Sequence, residues 1–246
     1  MKKIGFIGLG VMGYPMAGHM QSSGYEVSVF NRTNQKALKW KEEFSGKVSS
    51  SIDELSENSD FIFLCVGNDE DVRSLVLGEG GILENARENT LIIDHTTTSS
   101  KLSVELSGKC HSKNVGYIDA PVSGGEVGAI EGQLTVMCGG NQNDFEEAYE
   151  LISCYSKFIK LMGPSGSGQL TKMVNQITIT GLIQSLAEAI YFSEKAGLDT
   201  QQVIEVISKG AAQSWQMENR WKTMVEGKYN HGFAVDLMRK DLKIAI

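Results

Sequence analysis

The sequence predicts an α/β protein, a doubly wound sheet domain over residues 1–163 followed by an all-helical domain over 164–246. Three observations carry this. Apolar runs of strand length alternate with helix-compatible stretches from Lys3 to Met162. Two of the runs, Asp60 to Val66 and Thr90 to Asp94, are apolar without alternation inside, the mark of strands covered on both faces of a parallel sheet. From Gly168 to Ala196 there is one nearly uninterrupted helical pattern, and no strand pattern returns after it.

Taken in order, Ile4, Phe6 and Ile7 mark a short buried strand. Gly8, Gly10 and Gly13 follow it as Gly-x-Gly-x-x-Gly, and helix-compatible sequence runs from Val11 to Gln21. The first glycine permits a tight turn, the second lets a pyrophosphate approach the backbone, and the third lets the helix pack closely on the strand. Phosphates would rest on unpaired N–H groups at the positive end of that helix. As a bare string the motif is also an ordinary glycine turn. The strand before it, the helix after it and a second strand from Glu26 to Phe30 make a Rossmann-type dinucleotide site the better reading, formed by Gly8, Leu9, Gly10, Val11, Met12 and Gly13.

In such a site the second strand ends beside the adenosine ribose, where a carboxylate binds the 2′-hydroxyl of NAD and an arginine accommodates the 2′-phosphate of NADP. Here the strand runs into Asn31-Arg32-Thr33, with no carboxylate. Arg32 offers a planar charged fork, and Asn31 or Thr33 adds neutral bonds. NADP is the expected cofactor, with NAD as the alternative. A solvated turn with an incidental arginine is the competing reading.

Asn34 to Phe44 is helix-like, Gly46 to Ser49 allows a short strand, and Ser51 with Glu54 reads as a capping box. Gly67-Asn68-Asp69 breaks the strand 60–66 and starts a helix over Glu70 to Leu77. After the strand 90–94 come polar His95 to Ser99 and a helix from Lys101 to Lys113. Val115 to Ala120 and Leu134 to Cys138 are strands, Asn143 caps a helix to Cys154, and Phe158 to Met162 is the last strand. Gly163-Pro164-Ser165-Gly166-Ser167-Gly168 punctuates the chain before the long helix. Gly197-Leu198-Asp199-Thr200 ends that helix and caps the next, and helices follow over 201–208, 214–225 and 235–246. The last stops without a cap or polar tail, so a C-terminally shortened chain with an incomplete helical domain is expected.

Composition bounds the function. With 41% hydrophobic and 22% charged residues, the chain has ample length for a sizeable core. A net charge of −7 without any lysine or arginine run argues against a nucleic-acid partner. No apolar stretch approaches the ~20 residues needed to span a bilayer, and no signal peptide is evident, so a cytoplasmic protein without a membrane partner is expected. Cys65, Cys110, Cys138 and Cys154 form no Cys-x-x-Cys pair, which fits free thiols in a reducing compartment. His19, His95, His111 and His231 are equally scattered, and no metal site is indicated.

Ligands of open α/β sheets gather at strand ends. Cys65-Val66-Gly67-Asn68 and Asp94 to Thr98 qualify for the nicotinamide-ribose side, with Cys65 and Val66 as lining and Thr96 or Thr97 as hydroxyl donors. Caps and turns that merely start helices are the competing reading. Ser123-Gly124-Gly125 can expose a hydroxyl and successive N–H groups, a nest suited to a carboxylate, or it is a plain glycine turn. Gln169 and Leu170 stand where a phosphate loop requires Lys-Ser/Thr, so Gly163 to Gly168 is not one. Lys172 has Asn175 and Gln176 beside it at i+3 and i+4. A lysine desolvated near a cationic nicotinamide has a lowered pKa and can serve as general acid/base, whereas taken alone Lys172 reads as a solvated lysine. Trp215, Met217 and Phe233 line a substrate pocket or pack between helices.

Taken together, Gly5-Phe6-Ile7-Gly8-Leu9-Gly10-Val11-Met12-Gly13, Asp119-Ala120-Pro121-Val122-Ser123-Gly124-Gly125, Gly163-x-x-Gly166-x-Gly168-x-x-x-Lys172-x-x-Asn175 and Lys240-Asp241-Leu242 resemble the β-hydroxyacid dehydrogenase family. That family includes 3-hydroxyisobutyrate dehydrogenases, tartronate semialdehyde reductases and glyoxylate/succinic semialdehyde reductases. The resemblance spans the whole chain in order. It implies an NADP-dependent oxidoreductase that interconverts a short 3-hydroxy acid and its aldehyde acid, and a homo-oligomer where the full helical domain is present. It implies Lys172 as catalytic acid/base, Ser123, Gly124 and Gly125 as holders of the substrate carboxylate, and Asn175 as a group that orients substrate. Thr97 would touch the cofactor, and Lys240 would come from the helical domain to close the site over it.

Two departures stand out. Gln176 occupies a position where some members carry a second asparagine, and family chains usually continue through several helices after Lys240-Asp241-Leu242. Imine reductases of related architecture replace the lysine, and a phosphogluconate-type dehydrogenase asks for more basic contacts than are placed here. A non-catalytic NADP-binding or scaffold module that kept the fold is the alternative of a different class, and the retained Lys172 argues against it.

Overall fold

The computed structural model describes residues 2–229 and 234–246, so His231 and Phe233 lie outside the described residues. The chain begins β1 (Lys3–Ile7), α1 (Gly13–Ser22), β2 (Glu26–Phe30), α2 (Asn34–Phe44), β3 (Lys47–Val48), α3 (Ile52–Glu57) and β4 (Phe61–Leu64). Next come α4 (Asp69–Leu77), α5 (Ile82–Asn85), β5 (Leu91–Asp94), α6 (Ser100–His111), β6 (Gly116–Asp119), β7 (Val122–Ser123) and α7 (Gly125–Ile130). It continues with β8 (Leu134–Gly139), α8 (Gln142–Ser153), β9 (Ser156–Gly163), α9 (Ser167–Lys195), α10 (Thr200–Ile207), α11 (Trp215–Val225) and α12 (Val235–Ala245).

The strands form one sheet in the order β3-β2-β1-β4-β5-β6-β8-β7, with β9 paired to β8. From β3 to β6 every pairing is parallel; β8 runs antiparallel to β6 and β7 and parallel to β9. Every residue of β4 and β5 is buried, as their unbroken apolar runs require. Successive residues feed opposite faces: Phe61, Phe63, Leu91 and Ile93 enter one apolar cluster with Phe6 and Trp40, and Ile62, Leu64 and Ile92 enter another with Leu55 and Leu102. Full burial of each such side chain stabilises the fold by about 1.5–3 kcal/mol. The register Ile7↔Leu64, Leu64↔Asp94 and Asp94↔Asp119 brings the carboxyl ends of β1, β4, β5 and β6 to one edge. Strand order reverses at β1, which has β2 on one side and β4 on the other, and that is where such sheets open a crevice for ligands.

Helix starts follow the side chains that satisfy their free N–H groups. Asn68 accepts from Asp71 N–H, Ser99 from Leu102, Asp199 from Gln202 and Ser214 from Met217. Two expectations are corrected. Ser51 accepts from Glu54 N–H, but the Glu54 carboxylate returns to the N–H and hydroxyl of Ser50, so the reciprocal half of a capping box falls one residue early. Asn141 rather than Asn143 caps α8, because the chain is still extended at residue 141 and its side chain reaches Asp144 N–H. The short elements α5, β7 and α7 are additions to the sequence reading.

By packing, the chain divides into two compact units, Met1–Lys172 and Met173–Ile246, and the division falls within α9. In the second, Leu186, Ile190, Ile204 and Met217 form the core, with Ile207, Trp221 and Met224 against it. Met217 is thus a packing residue, whereas Trp215 is exposed under the Arg220 guanidinium, 4.8 Å from its ring centre. Among the described residues no helix is long and apolar enough to cross a membrane.

Candidate active site

The glycine loop does three different jobs. Gly8 has φ +100°, a conformation L side chains rarely adopt, and a Cβ there would strike the Cys65 carbonyl. A Cβ on Gly13 would collide with the Gly8 carbonyl and the Phe6 ring, so α1 can lie on β1 only with glycine there. Gly10 is exposed and nothing lies within 4 Å of where its Cβ would be, which leaves the backbone open to a ligand. No side chain caps α1, but Tyr14 N–H donates to the Gly10 carbonyl at 3.0 Å, Met16 N–H to the Met12 carbonyl at 3.3 Å, and Pro15 has no N–H, so a ligand would meet the loop before the helix rather than the first helical turn. These features fit a dinucleotide pyrophosphate.

Asn31 is committed inside the protein. Its Oδ1 accepts from Leu9 N–H at 2.9 Å and its Nδ2 donates to the Thr33 carbonyl at 3.0 Å, which ties the end of β2 to the glycine loop. Arg32 and Thr33 are exposed and remain for the ribose side. A similar division separates the two threonines. Thr96 is buried, its hydroxyl accepts from Val66 N–H at 3.1 Å and its N–H donates to Asp94 Oδ1 at 2.9 Å. It locks the ends of β4 and β5 together, whereas Thr97 is half-buried. Cys65 and Val66, also half-buried, continue the same strand edge. Burial pushes the Cys65 thiol up to about 12, so it stays protonated. All four cysteines are free thiols, and among the described residues no group of His, Cys, Asp and Glu is arranged to hold a metal.

Two carboxylates face each other in register at the ends of β5 and β6. Burial pushes Asp94 up to about 7 although Thr96 and the Tyr117 hydroxyl, at 3.1 Å, donate to it. His95 behind it is also buried, and that pushes its imidazole down to about 4. Its Nδ1 donates to the Ala120 carbonyl at 2.6 Å, so its Nε2 accepts from the Tyr155 hydroxyl at 2.8 Å. The two groups act oppositely on stability. Between about pH 4 and 7 folded Asp94 keeps a proton that the unfolded chain has lost, so its contribution grows as pH falls, by about 1.4 kcal/mol per unit. Folded His95 stays neutral where the unfolded chain gains a proton, so its contribution is lost as pH falls from about 6.5 towards 4. Asp94→Asn removes the first slope only. The variant should lose about 2 kcal/mol relative to the parent between about pH 7 and pH 5, read from urea midpoints at each pH. A difference that does not move with pH would mean that Asp94 is ionised throughout.

Asp119 is the anchor of the region. Buried at the end of β6, it accepts from Gly166 N–H at 2.7 Å and Gln169 N–H at 3.0 Å, and Gly168 N–H also faces it. Burial raises its carboxyl to about 6 against these donors. The carboxylate therefore caps α9 from a distant strand. The glycines of the third motif make this possible: Gly166 has φ +91°, and a Cβ on Gly168 would meet the Asp119 carbonyl and carboxylate at 2.8 Å. Lys172 follows one turn after Gln169 and is only 7% exposed. Four residues after Asp119, Ser123 is half-buried and pairs in β7 with Thr135. Gly124 and Gly125 follow at φ +136° and +65°, both exposed, with open space beside Gly125. Ser123-Gly124-Gly125 and the start of α9 thus hang from the same strand end.

In the second unit Asn175 Nδ2 donates to Gln176 Oε1 at 2.8 Å, and Gln176 Nε2 donates to Asp241 Oδ2 at 2.6 Å. Lys240 Nζ lies 3.1 Å from Asp241 Oδ1. Gln176, whose place in the family pattern was a departure, links Asn175 to the Lys240-Asp241 pair. Sequence reasoning passed over Asp119 and Gln169 as individuals. Their only signals were a carboxylate inside a strand-end motif and an amide just after the Gly-rich turn.

The family model for the NAD binding domain of 6-phosphogluconate dehydrogenase matches residues 3–163, and the one described as NAD-binding of NADP-dependent 3-hydroxyisobutyrate dehydrogenase matches residues 166–246. A Shewanella frigidimarina (strain NCIMB 400) protein named as an uncharacterized oxidoreductase is 53% identical over 246 residues, 100% of this chain and 84% of the relative. The 2-hydroxy-3-oxopropionate reductase of Escherichia coli (strain K12) is 34% identical over 99% of this chain and 83% of its own length. Among solved structures, Mycobacterium tuberculosis 3-hydroxyisobutyrate dehydrogenase with L-serine superposes with a TM-score of 0.89 at 28% identity, covering 100% of this chain and 85% of that one. The strand-end site, the glycine loop and both halves of the match agree: the chain belongs to the β-hydroxyacid dehydrogenase family and is an NAD(P)-dependent hydroxyacid dehydrogenase.

Proposed function

We propose that the chain is an NADP-dependent oxidoreductase that interconverts a short 3-hydroxy acid and its aldehyde acid, with Lys172 as general acid/base. The observation that carries this reading is the burial of Lys172 on a helix fixed by Asp119 to the strand edge where the glycine loop lies. NADPH, when bound, supplies the hydride. Gly8, Leu9, Gly10, Val11, Met12 and Gly13 would cradle its pyrophosphate, Arg32 and Thr33 its 2′-phosphate, and Asn31 would hold the loop that receives it. Cys65, Val66, Thr96 and Thr97 would form the strand ends on the nicotinamide-ribose side, and Lys240 would be a further cofactor contact. Ser123 with the N–H groups of Gly124 and Gly125 grips the substrate carboxylate. Asn175 orients the substrate. Lys172 delivers a proton to the carbonyl oxygen as hydride reaches its carbon, and removes it in the reverse direction.

The same reading takes residues 1–163 as the dinucleotide-binding domain and 164–246 as the helical substrate and dimerisation domain, which the matched ranges 3–163 and 166–246 support. It also includes a cytoplasmic location, supported by four free thiols, and a homo-oligomer, supported by exposed Val174, Ile177, Tyr191 and Phe192 on α9.

Steady-state turnover of a panel of aldehyde acids with NADPH and NADH tests the proposal. Acids should be reduced well and simple aldehydes of equal size poorly, because the nest's donors would be left unpaired. NADPH should bind more tightly than NADH, and Arg32→Ala should weaken NADPH by roughly ten- to a hundredfold while leaving NADH nearly unchanged. Equal affinities in the parent would remove the case for NADP, and equal turnover of acids and aldehydes would remove the carboxylate role of the nest.

A further inference from the structure

We propose that Gln169 is a positioning residue, whose side-chain amide brackets Thr97 and so joins the cofactor-side loop to the helix that carries Lys172. Its Oε1 accepts from Thr98 N–H at 3.0 Å and its Nε2 donates to the Thr96 carbonyl at 2.7 Å. The residue before Thr97 and the residue after it are thus paired to one planar group, as a neighbouring strand would pair them. Gln169 is fully buried, and its own N–H is held by Asp119 Oδ2. All of these groups lie within the first compact unit.

The rest of the loop is already pinned from other directions. Thr96 is tied to Val66 and Asp94, and Ser99 donates its N–H and hydroxyl to Asp69 at 3.0 and 2.5 Å. Gln169 fixes the stretch between them. The chemistry of the position is narrow: the group must present one acceptor and one donor side by side, at the reach of a two-methylene stem. A carboxylate accepts from Thr98 but opposes the Thr96 carbonyl. Asparagine has both functions and falls one methylene short. An apolar side chain leaves a buried N–H and a buried C=O without partners.

The inference rests on the proposed cofactor role of Thr97, and its test separates from the test of the reaction because it is read in NADPH binding. Gln169→Glu keeps the shape and makes the donor dependent on pH. Asp119 on β6 bonds Gln169, Asp94 on β5 bonds Thr96, Asp69 on α4 bonds Ser99, and Lys172 lies three residues on along α9; all four are common to parent and variant, so the ratio of the two isolates position 169. At about pH 8.5 the ionised variant should bind NADPH at least about tenfold more weakly than the parent, measured by nicotinamide fluorescence. Near pH 6, where a buried glutamate is protonated and donates to Thr96 again, the ratio should return towards one. A fixed ratio across pH, or parental affinity at about pH 8.5, would overturn the inference. Circular dichroism checks that the variant is folded. If Gln169→Glu does not fold, Gln169→Asn decides in its place, with an NADPH affinity about three- to tenfold below the parent expected and parental affinity overturning the inference. A parent that binds NADPH yet reduces no aldehyde acid would sink the proposed reaction and still leave the binding ratio to decide the role of Gln169.

Discussion

Asp119→Ala is expected to lower the unfolding free energy by about 3–5 kcal/mol, the largest stability loss of any single side-chain truncation at this site. The carboxylate takes the N–H groups of Gly166 and Gln169 at 2.7 and 3.0 Å, and Gly168 N–H faces it as well. Each buried donor left without a partner costs about 1–3 kcal/mol. One effect works the other way. Burial already raises this carboxyl to about 6, so removing it relieves some desolvation cost and keeps the expected loss at the lower end of the sum. Asp119→Asn retains one acceptor oxygen but turns an amide donor towards a backbone donor, so its loss should fall between parent and alanine. Urea unfolding at neutral pH, with an unchanged slope and a shifted midpoint, gives the order. A loss below about 1 kcal/mol for alanine would mean that water replaces the carboxylate at the Gly166, Gly168 and Gln169 N–H groups. Because Asp119 sets where α9 begins, folded Asp119→Asn should also lose turnover more than cofactor affinity.

Much of the sheet was legible because its chemistry is repetitive. β4 announces itself by apolar residues at every position and β5 by three in a row before Asp94, and α4, α6, α10 and α11 by a capping Asn, Ser or Asp before the first turn. α7 was not legible: Gly125-Glu126-Val127-Gly128-Ala129-Ile130 carries two glycines, poor helix formers, and its short turn is held by a Gly124 bend and close packing of Gly128 on Leu134. β7 has only two residues and takes its register from β8, which no local pattern reports.

The site divides the same way. The glycine loop could be read from its spacing because backbone geometry demands glycine at Gly8 and Gly13. Partner identities could not. Asn31 reaches Leu9 across 22 residues, Asp119 reaches Gly166 across 47, and Gln169 reaches Thr96 across 73. Periodicity tells which face is buried, not which buried amide answers which carbonyl. That is why the sequence, which marks Asn31 and Thr96 as candidates beside the cofactor, does not report the bonds they make to the loops around it.

Lys172→Ala should lower kcat by roughly 10²–10⁴ while NADPH affinity stays near the parental value. Hydride arrival at a carbonyl carbon leaves negative charge on the oxygen, and an ammonium within hydrogen-bonding reach neutralises it by giving up a proton. The side chain is buried, on a helix whose start is fixed by Asp119 and by the Gln169 bonds to the loop 96–98, so water has little access to replace it. Lys172→Arg keeps the charge but holds its proton, since a guanidinium stays protonated in proteins, and should recover little. Lys172→Met offers a similar length with no proton and separates packing from chemistry: it should match alanine in kcat and the parent in unfolding midpoint. A role confined to substrate binding predicts a different result, a raised KM with kcat preserved. Parent and variants are assayed in the same chain, so that loss of the proton donor is the only change being read. Near-parental kcat in Lys172→Ala would place the proton source elsewhere, and the acid/base assignment would have to be given up.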